Sequence, residues 1–335
     1  MLYPLKFKKA FMEKVWGGRK FEEFLNMDLP KKINIGESWE VSAHPNGMSI
    51  VENGILKGRS LQDIYNEYKY KLVGEKVYNE YKTRFPLLIK YLDVNDRLSI
   101  QVHPDNEIAL KNHNEFGKSE SWYIMEASED AVLILGMQDG ITKHKFLEKV
   151  SKNDFDGLFK EVKVKKGDFI DITPGTVHAT LKGSILFAEI QQNSDITYRI
   201  YDFDRVESNG LKRELHIKEA SEVIDFEKKI KIENTDFSKK ESRKTIIRKK
   251  YYSIDKIRID GNFEDINLES MIIYSILEGS GELFFKDQND RVETLKIKKG
   301  ETLLIPVCVD VKLNGRFEIF PRCCACGWWF DRVWK

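Results

Sequence analysis

The sequence predicts a mainly β protein with added helices, containing two successive jelly-roll units. Three observations lead there. Residues 162–201 are rich in Ile, Val, Thr and Phe and are punctuated by Gly167, Pro174-Gly175 and Gly183, the composition of short strands joined by turns. A faint internal repeat aligns Lys163-Val164-Lys165-Lys166-Gly167-Asp168-Phe169-Ile170-Asp171-Ile172-Thr173-Pro174 with Lys296-Ile297-Lys298-Lys299-Gly300-Glu301-Thr302-Leu303-Leu304-Ile305-Pro306. Upstream of each copy, at comparable distances, stand Trp122-Tyr123-Ile124-Met125-Glu126 and Ile273-Tyr274-Ser275-Ile276-Leu277-Glu278-Gly279.

Each copy reads as strand, turn, strand, then a Gly-acidic turn into a strand ending at proline. That is the order of a cupin-type jelly-roll β-barrel. The copies part after the proline: the first continues Gly175-Thr176-Val177-His178, the second Val307-Cys308-Val309-Asp310. Helices are inserted around the N-terminal roll. Residues 60–81 predict one helix, with Leu61, Ile64, Tyr65, Tyr68, Leu72 and Val77 on one apolar face. Leu87-Leu88-Ile89-Lys90-Tyr91-Leu92 is a short apolar run typical of a buried strand. Residues 107–113 and 143–150 read as short helices and 212–227 as a further one. The lysine-rich, weakly periodic stretch 228–250 reads as a solvated edge or inter-domain connection rather than an anion-binding arm.

Composition excludes several classes. With 335 residues there is ample chain for one large or two medium domains. Lys plus Arg number 55 against 54 Asp plus Glu, so no global field draws the chain to nucleic acid or a membrane surface. No run approaches the roughly 18 apolar residues of a membrane helix. Met1-Leu2-Tyr3-Pro4-Leu5-Lys6 lacks the features of a secretory signal, which points to the cytoplasm. All four cysteines, Cys308, Cys323, Cys324 and Cys326, lie near the C-terminus and cannot form a disulfide framework. Cys323-Cys324-Ala325-Cys326 is too tightly spaced for a thiolate metal knuckle and reads as a reduced, partly exposed tail.

Three segments carry the chemistry: Ser99-Ile100-Gln101-Val102-His103-Pro104, Gly117-Lys118-Ser119-Glu120-Ser121-Trp122 and Thr173-Pro174-Gly175-Thr176-Val177-His178. Side chains two apart on a strand share a face, so Gln101 and His103 can converge on one ion, as can Lys118 and Glu120 on one pocket. The Pro-Gly turn would aim His178 back at the same point. Two imidazoles and a carboxylate suit zinc or non-haem iron. Asp195, Thr197 and Arg199 alternate in the same way, so Asp195 and Arg199 could both enter the pocket. Of the other histidines, His113, His144 and His216 sit in charged, helical stretches and read as surface or packed residues, while His44 reads as a supporting or structural residue. The aromatic pairs Trp122-Tyr123 and Tyr251-Tyr252 read as core.

Five motifs in one order give a specific resemblance. They are Gly36-Glu37-Ser38-Trp39-Glu40, Gln101-Val102-His103-Pro104, Gly117-Lys118-Ser119-Glu120-Ser121-Trp122-Tyr123, Pro174-Gly175-Thr176-Val177-His178 and Gln191-Gln192-Asn193-Ser194-Asp195-Ile196-Thr197-Tyr198-Arg199-Ile200-Tyr201-Asp202. With Trp16-Gly17-Gly18, they resemble the class I phosphomannose isomerases in their shorter bacterial form, over residues 4–320. The resemblance implies an aldose–ketose isomerase of the cupin superfamily that interconverts mannose 6-phosphate and fructose 6-phosphate with one Zn²⁺ per chain. It implies Gln101, His103, Glu120 and His178 as metal ligands, Arg199, Lys118 and Asp195 as catalytic residues, and Ser99, Lys90, Lys118 and Arg199 around the substrate.

The implied partner is a small-molecule sugar phosphate, with neither nucleic acid nor membrane, on a monomeric chain. The expected division is a catalytic metal-binding domain at 1–240, a C-terminal cupin-like domain without metal at 241–320, and a tail of unclear role at 321–335. The ending Cys323-Cys324-Ala325-Cys326-Gly327-Trp328-Trp329 departs from the family's usual finish. Two rivals share part of the pattern. An Fe(II) cupin dioxygenase would leave Gln101, Lys118 and Arg199 unexplained, and a non-catalytic sugar-binding cupin would need no complete ligand set.

Overall fold

The computed structural model describes residues 2–206, 210–237, 242–266 and 269–325, with side chains to residue 320. Among these residues the strands form sheets of eight, seven and five strands and a two-stranded ribbon, accompanied by seven helices. The expected mainly β architecture with helices around the N-terminal part is what is observed. Cys326 and the residues after it lie outside the described residues, so the expectation for the tail is not tested; the backbone of Cys323 and Cys324 continues the strand Val311–Ala325.

The N-terminal half packs two antiparallel sheets face to face. The five-stranded sheet runs Phe159–Lys163, Val132–Met137, His178–Lys182, Ile100–Val102, Tyr198–Tyr201. The seven-stranded sheet runs Ile232–Asn234, Asp168–Ile172, Glu120–Ala127, Ile185–Gln192, Leu87–Val94, Ile35–Val41, Ala10–Gly18. Alternation along the strands sorts the side chains. Trp122, Ile124, Ile185 and Phe187 point inward and join Leu133 and Leu135 of the opposing sheet. Tyr123, Met125, Leu186 and Ile190 point outward into a second core shared with Tyr252, Ile254, Ile273, Leu304 and Phe320 of the C-terminal half. At one end of the inner face Lys90 and Glu189 replace the apolar residues, and there the site lies.

The C-terminal strands Arg243–Arg248, Tyr252–Asp265, Ile272–Lys286, Val292–Lys298, Thr302–Ile305 and Val311–Ala325 form the eight-stranded sheet together with Leu5–Lys8 and Ile50–Val51. The first strand of the chain therefore pairs with the second roll, Leu5 opposite Leu304, across the division expected near residue 240. The other face of this sheet closes over its own core of Ile257, Ile272, Tyr274, Leu283, Leu303 and Leu313.

The internal repeat is visible as geometry. Gly167 and Gly300 both take left-handed φ, 88° and 81°. Asp168 N–H bonds Lys165 O and Glu301 N–H bonds Lys298 O, each at 3.1 Å. The acidic side chain of each turn accepts from the same lysine's N–H, Asp168 from Lys165 at 2.9 Å and Glu301 from Lys298 at 3.0 Å.

Two helical expectations need correction. Residues 60–81 form three short helices, Leu61–Tyr68, Tyr70–Val73 and Glu75–Tyr81, because Lys69 (φ 52°) and Gly74 (φ 96°) break the rise. The expected helix at 212–227 is only Ile217–Val223. Its first residues are taken by a β-bridge from Lys212 to Val206 and by ion pairing of Arg213 with Asp202, both of which hold the chain extended. The short helices Asn106–His113 and Lys143–Ser151 occur as expected; Asp105 and Thr142 cap them by accepting from the N–H groups of Ile108 and Lys145.

A side chain at Gly300 would require positive φ and would drive a Cβ into the carbonyl oxygen of Leu25. Gly300→Ala should therefore lower unfolding stability by about 1–3 kcal/mol, measured by chemical denaturation, while leaving metal content unchanged.

Candidate metal centre

His178 opens its strand directly opposite Gln101, and Gln101 is in turn opposite Arg199, so these three share one face across three neighbouring strands. His103 stands just beyond the end of Ile100–Val102, and Glu120 begins the strand Glu120–Ala127 of the facing sheet. The ligand atoms of His103, Glu120 and His178 lie within 4.8 Å of one another, and all three residues are fully buried.

Both imidazoles are held the same way. His103 Nδ1 is 2.8 Å from Ile196 O and His178 Nδ1 is 2.9 Å from Thr176 O. A carbonyl only accepts, so each Nδ1 carries a proton and each Nε2 faces the centre. His178 Nε2 lies 3.1 Å and His103 Nε2 3.5 Å from the Glu120 carboxylate. Burial, and then the charge of Lys118, push the His103 imidazole well below its ordinary range, so it is neutral at physiological pH.

Burial would raise the Glu120 carboxyl, but the Lys118 ammonium leads the charges that overcome this and hold it well below the usual range. Neither of its oxygens receives a well-directed hydrogen bond, although Lys118 Nζ is at 2.8 Å. Two imidazoles and an ionised carboxylate with open acceptor positions fit a divalent cation such as zinc. Gln101 lies beside them, its Nε2 3.3 Å from His178 Nε2 and its Oε1 3.4 Å from Ser99 Oγ. Ligation through Oε1 would need the amide turned by about half a revolution.

Next to the His–Glu–His cluster a row of alternating charge crosses the seven-stranded sheet. The register places Trp39, Lys90, Glu189 and Trp122 side by side on four adjacent strands. Lys90 Nζ lies 4.3 Å from the Trp39 ring centroid, 3.9 Å from both Glu37 and Glu189, and 3.7 Å from Asp195. Lys118 bridges Glu120 and Glu189, the latter at 3.7 Å. Burial opposes its charge, yet these two carboxylates hold the amine above the ordinary lysine range. Glu189 itself is raised, first by burial and also by Glu120, against the pull of Lys118 and Lys90. Asp195, at the mouth and more exposed, is lowered: burial resists, but Lys90 and an Asn46 hydrogen bond of 3.0 Å prevail.

The sequence placed these residues with mixed success. Gln101, His103, Glu120, His178, Lys118 and Lys90 converge. Asp195 also reaches the site, but not by alternation: the strand Tyr198–Tyr201 begins after it, and it is seated by Asn46 and Lys90 from a loop. Arg199 is in register with Gln101, and its Nη1 donates to Glu214 O at 2.9 Å. Glu189 and Glu37 were not anticipated; their only trace in the sequence is a carboxylate inside an otherwise apolar strand, Ile185–Gln192, and the Gly-Glu-Ser-Trp-Glu segment.

A face-to-face β sandwich with a buried His–Glu–His cluster beside paired lysines and carboxylates defines a metal-binding cupin-like enzyme. Comparison with known proteins narrows this. Residues 4–122 match the catalytic domain of type I phosphomannose isomerases. A mannose-6-phosphate isomerase of Streptococcus mutans is 36% identical over 321 residues, 95% of this chain and 98% of that protein. One of Bacillus subtilis is 36% identical over 322 residues, 94% and 97% of the two chains. The crystal structure of the mannose 6-phosphate isomerase from Bacillus subtilis superposes with a TM-score of 0.84 at 35% identity, covering 95% of this chain and 98% of that one. The chain belongs to the type I phosphomannose isomerases.

The lowered Glu37 carboxyl gives a pH test. Burial raises it, but Lys90, then Lys14, outweigh that, so ionisation stabilises the fold above the unfolded value of about 4.3 and is lost as pH falls through the lower folded value. Glu37→Gln should therefore cost more stability at neutral pH than in acid, with the gap between parent and variant closing as denaturation curves are taken below the ordinary glutamate range.

Proposed function

We propose that the protein interconverts D-mannose 6-phosphate and D-fructose 6-phosphate through an enediol, using one zinc ion held by His103, Glu120 and His178 with Gln101 as a fourth ligand. The observation that carries the reading is the pair of imidazoles, both anchored at Nδ1 to backbone carbonyls and both facing an ionised, buried carboxylate. A bound divalent ion would supply positive charge beside the sugar oxygens at which negative charge develops.

The remaining steps belong to the chain. Lys118, Lys90 and Arg199 supply fixed positive charge for a substrate carrying nearly two negative charges. Ser99 Oγ lies beside the Gln101 amide, where it would accept from the amide NH2 once Oε1 turns to the metal. A carbonyl shift from C1 to C2 needs a group that removes one proton and returns it to the neighbouring carbon, and such a group works best near the operating pH. Asp195 is held ionised at the mouth, suited to accepting sugar hydroxyls. Glu189, whose acidity burial weakens, is the carboxyl suited to exchanging a proton. The dioxygenase alternative leaves this cationic set without a task.

A coupled assay from mannose 6-phosphate should show turnover that a chelator abolishes and added zinc restores; metal-loaded protein that turns over neither sugar phosphate would refute the reading. Arg199→Ala should retain stoichiometric zinc and a near-parental Tm but lose about 100-fold or more in kcat/KM, whereas His178→Ala should lose the metal itself. Equal metal loss in both variants would show that this division of roles is wrong.

A further inference from the structure

We infer that His216 is a positioning residue for Arg199, the central element of a clasp formed by residues 213–216; this rests on the reading that Arg199 faces the substrate. His216 grips the Arg199 backbone at both polar groups. Its N–H donates to Arg199 O at 2.7 Å, and its ring Nδ1 accepts from the Arg199 N–H at 3.2 Å. An imidazole nitrogen facing an N–H donor must present a lone pair, so the ring proton sits on Nε2. Two residues earlier, Glu214 O accepts from Arg199 Nη1 at 2.9 Å. One short segment therefore holds both the main chain and the guanidinium of the same arginine.

The clasp is itself anchored at both ends. Arg213 binds the buried carboxylate of Asp202 with two hydrogen bonds, 2.9 Å from Nε and 2.5 Å from Nη2, which closes the excursion that follows Tyr198–Tyr201. On the other side His216 O accepts from Ala220 N–H at 2.8 Å, starting the helix Ile217–Val223. Ala220 and Ile224 pack with Ile100, Val102, Tyr198 and Ile200, the undersides of the strands that carry Gln101 and Arg199. Asp225 N–H then bonds Gly175 O at 2.9 Å, in the turn that aims His178. The guanidinium is a flexible group on a long stem; without such fixed points it would sample positions that do not meet the substrate.

The test uses zinc-loaded full-length protein and reads kcat and KM for mannose 6-phosphate together with zinc content and Tm. His216→Leu removes the ring acceptor, and His216→Asn returns one near the Nδ1 position. His216→Leu should lose about 10- to 100-fold in kcat/KM while keeping one zinc and a near-parental Tm, and His216→Asn should recover most of that loss. In an Arg199→Ala background His216→Leu should cause no further loss, since two residues acting through one group do not add. Arg213→Lys, which cannot hold both Asp202 oxygens, should show a smaller loss that also vanishes in that background. Parental activity in His216→Leu beside an impaired Arg199→Ala would overturn the clasp alone, as would full additivity in the double variant. A shared fall of zinc and Tm in both His216 variants would assign His216 to the fold and overturn it as well. Parental activity in Arg199→Ala would remove the underlying reading together with the clasp.

Discussion

Glu120 carries a negative charge with no access to solvent, and the arrangement of the N-terminal half follows from that burden. An isolated buried carboxylate would protonate or unfold its surroundings. Here two imidazoles and the Lys118 ammonium surround it, and the ammonium keeps it ionised. Lys118 is shared with Glu189, Glu189 with Lys90, and Lys90 with Glu37 and Asp195. The charges alternate across adjacent strands, so each is compensated by its neighbours rather than by water. Such a network is dry, close-packed and rich in fixed dipoles, which suits it to stabilising charge that appears only during a reaction.

The two-sheet architecture makes the cluster possible because each sheet contributes one side of it. Gln101, His178 and Arg199 come from a single cross-strand row of the five-stranded sheet, and Lys90 and Glu189 from a row of the seven-stranded sheet. The outer face of the latter is covered by the C-terminal half, with polar ties close behind Glu120. Tyr252 OH lies 2.9 Å from Ser121 Oγ, and Lys249 pairs with Asp171, which stands opposite Ser121 in the ladder. Burial lowers the Lys249 amine, and the Asp171 charge keeps it from falling further. The C-terminal sheet thus fixes the wall on which the carboxylate stands.

Much of this was legible in the sequence where the determinants are local. A period of two, a Pro-Gly turn and a repeated Lys-Lys-Gly-acidic turn located the segments that carry the His–Glu–His cluster and both rolls. What escaped depends on register between distant strands or on loop packing. Glu189 meets Lys90 only because the strands at 185–192 and 87–94 pair in one particular offset. Asp195 enters from a loop, so its place beside Lys90 does not come from strand alternation. The long apolar face at 60–81 concealed two breaks, since a left-handed Lys69 has no strong composition marker. His216 read as a surface or packed histidine without a role, because its partner is the backbone of a residue 17 positions away.

The central claim is that one divalent ion sits among four side chains of the N-terminal half. Anomalous diffraction at the zinc edge from crystals of the zinc-loaded protein tests it most directly. The account predicts a single strong peak with nitrogen and oxygen contacts of about 2.0–2.2 Å to His103 Nε2, His178 Nε2, the Glu120 carboxylate and Gln101 Oε1. Zinc found instead on the C-terminal sheet or its cysteines, with the His–Glu–His cluster bare, would contradict it.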